Sequence, residues 1–136
     1  MSKPILIVGG GPAGLAAAHA LSSVGRPSVL VEKTAILGGA PIHSGYAKLV
    51  PSGRWAKDAI GSMVTRVESN PAVTRKLGTT VTRFSGEPGH FVAELSDGAR
   101  VEVGAALLTT GFTHFDSVNK PEWGFGLFPD VVTTTQ

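Results

Sequence analysis

Cysteine is missing from all 136 residues. That excludes a disulfide framework, a CxxC redox pair, a cysteine-based zinc site and a cysteine-ligated iron–sulfur cluster within this chain. Lys/Arg runs of the nucleic-acid-binding kind are lacking too, and the sparse aromatics (7% of residues) do not interleave with the basic ones, so no nucleic-acid partner is expected. There is no internal repeat, linker or low-complexity tract. The uncharged stretch from Ile5 to Leu21 is broken at Gly9-Gly10-Gly11-Pro12 and has no cleavage-like site, which argues against a membrane span or signal peptide. The simplest expectation is a soluble, cytoplasmic protein.

What is present suits one compact domain. Apolar residues make up 42% of the chain, enough for a real core, and 18 glycines with 9 prolines punctuate it. The net charge of +2 hides an asymmetry: residues 1–83 carry ten Lys/Arg against three Asp/Glu, and residues 84–136 carry two against seven. A basic front half suits an anionic ligand or acidic partner, and equally describes ordinary solvated faces.

Pro4 to Val8 reads as a strand buried on both faces. Pro12 fits a first helical turn, Leu15 to Leu21 an alanine-rich helix, Gly25 its end and Ser28 to Glu32 a second strand. Strand, helix and strand within about 30 residues form a right-handed βαβ unit with parallel strands. A Gly/Pro/Ser-bearing segment fills 33–53, and a helix from Arg54 to about Ser69 shows Trp55, Ala59, Ile60, Met63, Val64 and Val67 on one side. Asn70-Pro71 stops it. Thr79–Phe84, His90–Leu95 and Ala99–Val103 read as an antiparallel meander, joined by Gly86-Glu87-Pro88-Gly89 and Ser96-Asp97-Gly98. Ala105–Thr110 reads as another buried strand, and the last 25 residues as an aromatic, proline-punctuated loop. The fold class is therefore α/β: a Rossmann-like parallel sheet with helices and a small antiparallel meander, of the FAD/NAD(P)-binding type.

The chemistry concentrates in Gly9-Gly10-Gly11-Pro12-Ala13-Gly14, which satisfies G-x-G-x-x-G between a strand and a helix. Gly9 makes the turn, Gly11 lets the backbone approach a pyrophosphate, and Gly14 lets helix and strand pack closely. The helix start offers N–H groups and a positive dipole end. Glu32, 18 residues after Gly14, is placed to accept hydrogen bonds from adenosine ribose hydroxyls and to repel a 2′-phosphate, favouring FAD or NAD over NADP.

Two further elements separate FAD from NAD. Gly38-Gly39 after Glu32-Lys33 resembles the second glycine pair of two-dinucleotide-binding-domain flavoproteins, where the backbone passes close to FAD. Leu107-Leu108-Thr109-Thr110-Gly111 resembles their later strand ending in A-T-G, with Thr109 in the alanine place. From Lys3 to Gln136, and most specifically at G-G-A-P-I-H-S-G-Y and K-P-E-W-G-F-G, the chain resembles the FAD-binding HdrA-like subunit of heterodisulfide reductases, in particular that of their sulfur-oxidising relatives.

The resemblance implies FAD, held by Gly9, Gly11, Pro12, Ala13, Gly14, Glu32, Lys33, Gly39, Ala40, Pro41, Thr110 and Gly111. It implies electron passage between a pyridine nucleotide and partner subunits of a heterodisulfide-reductase-like complex, in cytoplasmic oxidation of protein-bound sulfane sulfur; a homodimer is left open. It also implies that residues 1–136 are the first FAD portion of a longer flavoprotein, because the family's cluster-ligating cysteines, inserted pyridine-nucleotide domain and later G-D element have no counterpart here. The competing expectations are a dinucleotide-binding scaffold without redox turnover and a plain NAD-binding domain.

No catalytic acid or base can be named. His43 lies where the chain approaches the flavin and suits a proton relay. Lys33 and Arg54 suit cofactor phosphates or plain solvation. His19 reads as a packed or surface residue, and Tyr46 and Trp55 as core aromatics. The spacing of His114 and Asp116 fits no metal site. Ser44, His43 and Asp58 lack the setting of a nucleophile elbow.

Overall fold

A computed structural model of the chain describes residues 3–43 and 48–133, without the side chain of His43. Ser44 and Tyr46 lie outside the described residues. Two sheets and two long helices stack in layers. Strands β1 (Ile5–Val8), β2 (Ser28–Val31), β3 (Val73–Lys76) and β7 (Ala105–Leu108) form a parallel sheet in the order β3-β2-β1-β7. Strands β4 (Val81–Glu87), β5 (His90–Leu95) and β6 (Arg100–Val103) form an antiparallel meander. Helix α1 spans Pro12–Ser23, the short α2 Ala40–His43, and α3 Ala56–Glu68.

Alternation along the central strands explains the layering, because successive side chains point to opposite sheet faces. Ile7 and Leu30 point to one face and pack with Leu15 and Ala18 of α1 and Ile60 and Val67 of α3. Leu6, Val29 and Val31 point to the other and pack with Ala93, Leu95 and Val103 of the meander. Covered on both sides, β1 and β2 have no polar face, which is why they read as continuous apolar runs.

Three expectations need correction. The chain forms a strand at Val73–Lys76 that the sequence reading missed; it is four residues long, with Thr74 and Arg75 exposed. The strand Ala105–Leu108 is not buried: among the described residues it ends the sheet and pairs only with β1, and it leaves Leu107 and Leu108 exposed, the latter by 78%. Trp55 is not a core aromatic. It is the N-cap of α3, with extended backbone (φ −60°, ψ 128°), so its side chain leaves the helical stripe. The Lys48 ammonium stands 5.2 Å from the centre of its ring, a cation–π contact on an exposed surface. The rest of the α3 stripe packs as expected, with Ala59, Ile60 and Val67 buried and Met63 and Val64 against them.

Candidate functional site at the ends of the parallel strands

The strand order reverses at β1, with β2 on one side and β7 on the other. Open α/β sheets bind ligands at this place, outside the carboxyl ends of the strands. Three backbone segments meet there: the glycine turn after β1, the loop after β2, and the end of β7.

The glycine turn is fixed by close approach. Gly9 has φ +111°, and a methyl there would strike the Thr109 carbonyl. A methyl on Gly14 would strike the Gly9 carbonyl oxygen, so the first turn of α1 can lie on β1 only without a side chain. At Gly11 such a methyl would meet only the Gly39 Cα, at 3.9 Å, an ordinary van der Waals contact, so the second glycine pair lies close beside this backbone without crowding it. Gly38 N–H donates to the Gly10 carbonyl at 2.8 Å and brings the second glycine pair against the first. Helix α1 begins at Pro12, which has no N–H, with no side-chain cap, so the N–H groups of Ala13 and Gly14 have no acceptor within the helix, and Pro12 and Ala13 line the cavity that these segments enclose.

Glu32 follows the end of β2 and is buried, 8% exposed. Its Oε2 accepts from the Gly10 N–H at 2.7 Å; its Oε1 accepts from the Thr34 N–H at 2.8 Å and, at 2.9 Å, from the Thr34 hydroxyl, whose one proton it shares with the Ile36 carbonyl at 2.8 Å. Burial is the largest single influence on this carboxyl and pushes its pKa up. The bonds from Gly10 and Thr34, with the nearby Lys33 charge, together outweigh it and hold the group below its ordinary value. Three bonds use three of about four acceptor positions on a carboxylate, leaving one on Oε2 for a further donor.

These segments enclose a cavity of about 530 Å³ lined by Gly9, Gly11, Pro12, Ala13, Glu32, Lys33, Thr34, Gly39, Ala40, Pro41, Leu108, Thr109, Thr110, Gly111 and Phe112. A second, of about 300 Å³, adjoins it through Gly9, Glu32, Lys33 and Thr110 and runs to Thr79, Thr80 and Val81. Every site residue expected from the sequence lines the larger cavity except Gly14, which lies beneath it as a packing glycine. Sequence reasoning missed Gly10, Thr34, Leu108, Thr109 and Phe112 as site residues. Thr34, two residues past an acidic residue, carried a local signal, since hydroxyl side chains often bond so near in the chain. Gly10 was indistinguishable within three consecutive glycines.

Other expected residues stand apart. Arg54 is exposed and lines neither cavity, and His19 is exposed on α1. Among the described residues, no group of three or more His, Cys, Asp or Glu side chains is arranged to hold a metal, and no helix is long and apolar enough to cross a membrane.

The sequence pattern of the pyridine nucleotide-disulphide oxidoreductases matches residues 3–118. Curated relatives include the A subunit of the ferredoxin/F(420)H(2)-dependent CoB-CoM heterodisulfide reductase of Methanosarcina acetivorans, 22% identical over 99% of this chain and 27% of the relative. The A subunit of the ferredoxin:CoB-CoM heterodisulfide reductase of Methanosarcina mazei is 21% identical over the same shares. Both matches extend over 215 residues, more than the 136 of this chain, so each relative carries segments with no counterpart here. The chain spans about a quarter of the length of these relatives, 27% in each case.

Among solved structures, L-proline dehydrogenase from P. horikoshii superposes with a TM-score of 0.70 at 22% identity, over 80% of this chain and 22% of that one. Thioredoxin reductase from T. acidophilum gives 0.68 at 21%, over 84% and 37%. At these identities the likeness establishes the fold. The family comprises FAD-binding oxidoreductases.

Proposed function

The chain belongs to the pyridine nucleotide-disulphide oxidoreductase family, and from that premise we propose that residues 1–136 are the FAD-binding portion of a longer redox subunit. The observation that carries this reading is the cavity at the ends of β1, β2 and β7, where bare glycine backbone, a helix start and a buried carboxylate converge. The residues fit the adenosine and pyrophosphate parts of FAD. Gly11 and Ala13 offer backbone to the pyrophosphate, with the dipole of α1 behind them. The free acceptor position on Glu32 Oε2 takes a ribose hydroxyl, and the carboxylate charge repels a 2′-phosphate. Lys33, exposed on the cavity wall, adds a compensating positive charge. Gly39 to Pro41 and Thr110-Gly111 flank the cofactor. Bound FAD supplies hydride and single-electron transfer, and the protein contributes position and electrostatics.

In this proposal the redox subunit passes electrons between a pyridine nucleotide and partner subunits of a heterodisulfide-reductase-like complex. Support comes from the similarity to the matching subunits of heterodisulfide reductases along the whole chain. The finer assignment, to cytoplasmic oxidation of protein-bound sulfane sulfur, draws on the Gly38–Tyr46 and Lys120–Gly126 segments. The lack of cysteine puts cluster and thiol chemistry on other segments or subunits.

The test is reconstitution with FAD followed by gel filtration. Retained flavin absorbance is expected, and Glu32→Ala should raise the dissociation constant at least about tenfold, the worth of a hydrogen bond to a charged group. A protein that takes up NAD and leaves FAD untouched would refute the cofactor assignment. One observation favours a second reading, a dinucleotide-binding module without turnover of its own: Leu108 and Phe112 line the cavity yet are 78% and 72% exposed. FAD uptake with no reduction by NADH, in the native product as well as in this chain, would support it. A native product with a mass well above 14.0 kDa is expected on the main reading.

A further inference from the structure

Thr109 stands where the later glycine element of similar flavoproteins carries alanine, and its hydroxyl is not idle. It lies 3.0 Å from the Val8 carbonyl oxygen and 2.9 Å from the Gly9 carbonyl oxygen, donating one proton between them. The Gly9 carbonyl and the Gly10 N–H belong to the same planar peptide group and point in opposite directions. That N–H donates to Glu32 Oε2 at 2.7 Å. One rigid plane thus joins the hydroxyl at the end of β7 to the carboxylate at the end of β2, across β1.

Other contacts leave the plane little choice. Gly9 N–H donates to the Val31 carbonyl, and the Gly10 carbonyl accepts from Gly38 N–H. The Gly9 oxygen also presses on the Cα side of Gly14, where a methyl would overlap it. A glycine at φ +111° has no side chain to set its own orientation, so the hydroxyl and the carboxylate set it from the two ends. Hydrogen bonds in series through one amide also polarise each other, which strengthens the bond to Glu32.

We infer that Thr109 is a positioning residue for the dinucleotide site: through the Gly9–Gly10 peptide, its hydroxyl holds the Glu32 carboxylate in the geometry that receives a ribose. The inference rests on the proposed role of Glu32 at the adenosine end, but the coupling itself exists without ligand and is measured without one.

The experiment compares the full chain with Thr109→Ala, Thr109→Ser, Glu32→Ala and the double variant. Thr109 is only partly buried and loses no packed apolar group, so Thr109→Ala should fold. In each protein with Glu32 intact, the Glu32 carboxyl is titrated by carbon NMR and the Gly10 amide proton is followed. In Thr109→Ala the carboxyl should titrate at higher pH and the Gly10 amide should move upfield, as its bond loosens; Thr109→Ser should restore both. FAD binding should weaken about three- to tenfold in Thr109→Ala, the usual worth of one hydrogen bond. It should weaken no further when the change is added to Glu32→Ala, since both act along one chain of bonds. An unchanged Glu32 titration in Thr109→Ala overturns the inference, as does strict additivity in FAD affinity. If the parent chain binds no FAD, the Proposed function fails while the titration still decides the coupling.

Discussion

Two glycines separate packing from propensity. Gly14 and Gly61 both lie in helices, yet a methyl on Gly14 would enter the Gly9 carbonyl while one on Gly61 meets nothing within 4 Å. Gly14→Ala should therefore destabilise by about 1–3 kcal/mol, as overpacking does. Gly61→Ala should stabilise by about 0.5–1 kcal/mol, from helix propensity alone. Urea unfolding of both variants measures the difference in sign. Glu32 supplies a pH dependence. Its folded carboxyl titrates below the ordinary glutamate range, so its contribution to stability is present above the unfolded value and lost as pH falls through the lower folded one. The parent chain should lose more stability between neutral and acid pH than Glu32→Gln, which cannot titrate there. Parallel unfolding curves for the two proteins would remove Glu32 from the account.

At the scale of elements, apolar patterning and turn signals decided what was legible. β1, β2 and β5 were readable because apolar residues recur where a covered face demands them, and α1 because glycine, proline and alanine mark its start and body. β3 was not, since Val73-Thr74-Arg75-Lys76 has one buried residue and is held in place by long-range pairing with β2. β7 shows the converse. Its sequence, Ala-Ala-Leu-Leu, has the hydrophobicity of an interior strand, and only topology reveals that it borders the sheet. Substitutions should therefore separate the two strands. Leu6→Ala, fully buried in β1, should cost about 2–5 kcal/mol. Leu108→Lys, largely exposed, should change stability by no more than about 0.5 kcal/mol. Chemical denaturation checks both. The ion pair between Lys76 on β3 and Asp97 in the β5–β6 turn, at 3.0 Å, ties one sheet to the other, but on a partly exposed surface that salt screens.

For the whole molecule, the candidate site was legible through local signals. Glycines at fixed offsets and an acid at the end of the second strand are such signals, and the residues named from the sequence, Gly14 apart, line one cavity that Thr34, Leu108, Thr109 and Phe112 complete. What they could not convey is which backbone groups face one another. The meeting of Thr109 with Gly9, 100 residues earlier in the chain, depends on β7 pairing beside β1. The charge asymmetry of the sequence, by contrast, does not gather at the cavity, where Lys33 is the only basic residue among the lining groups.

Four glycines, two prolines and the start of α1 line the larger cavity beside the side chains of Glu32, Thr34, Thr109 and Phe112. Amide groups are the same in every protein, so point substitution has little material to work on at those glycines except to block the cavity. Divergence in what the site holds has two other routes: the side chains that share the lining, and the length of the loops after β1 and β2. Change at the glycines is thus confined to insertion, while the walls that carry side chains stay open to point substitution.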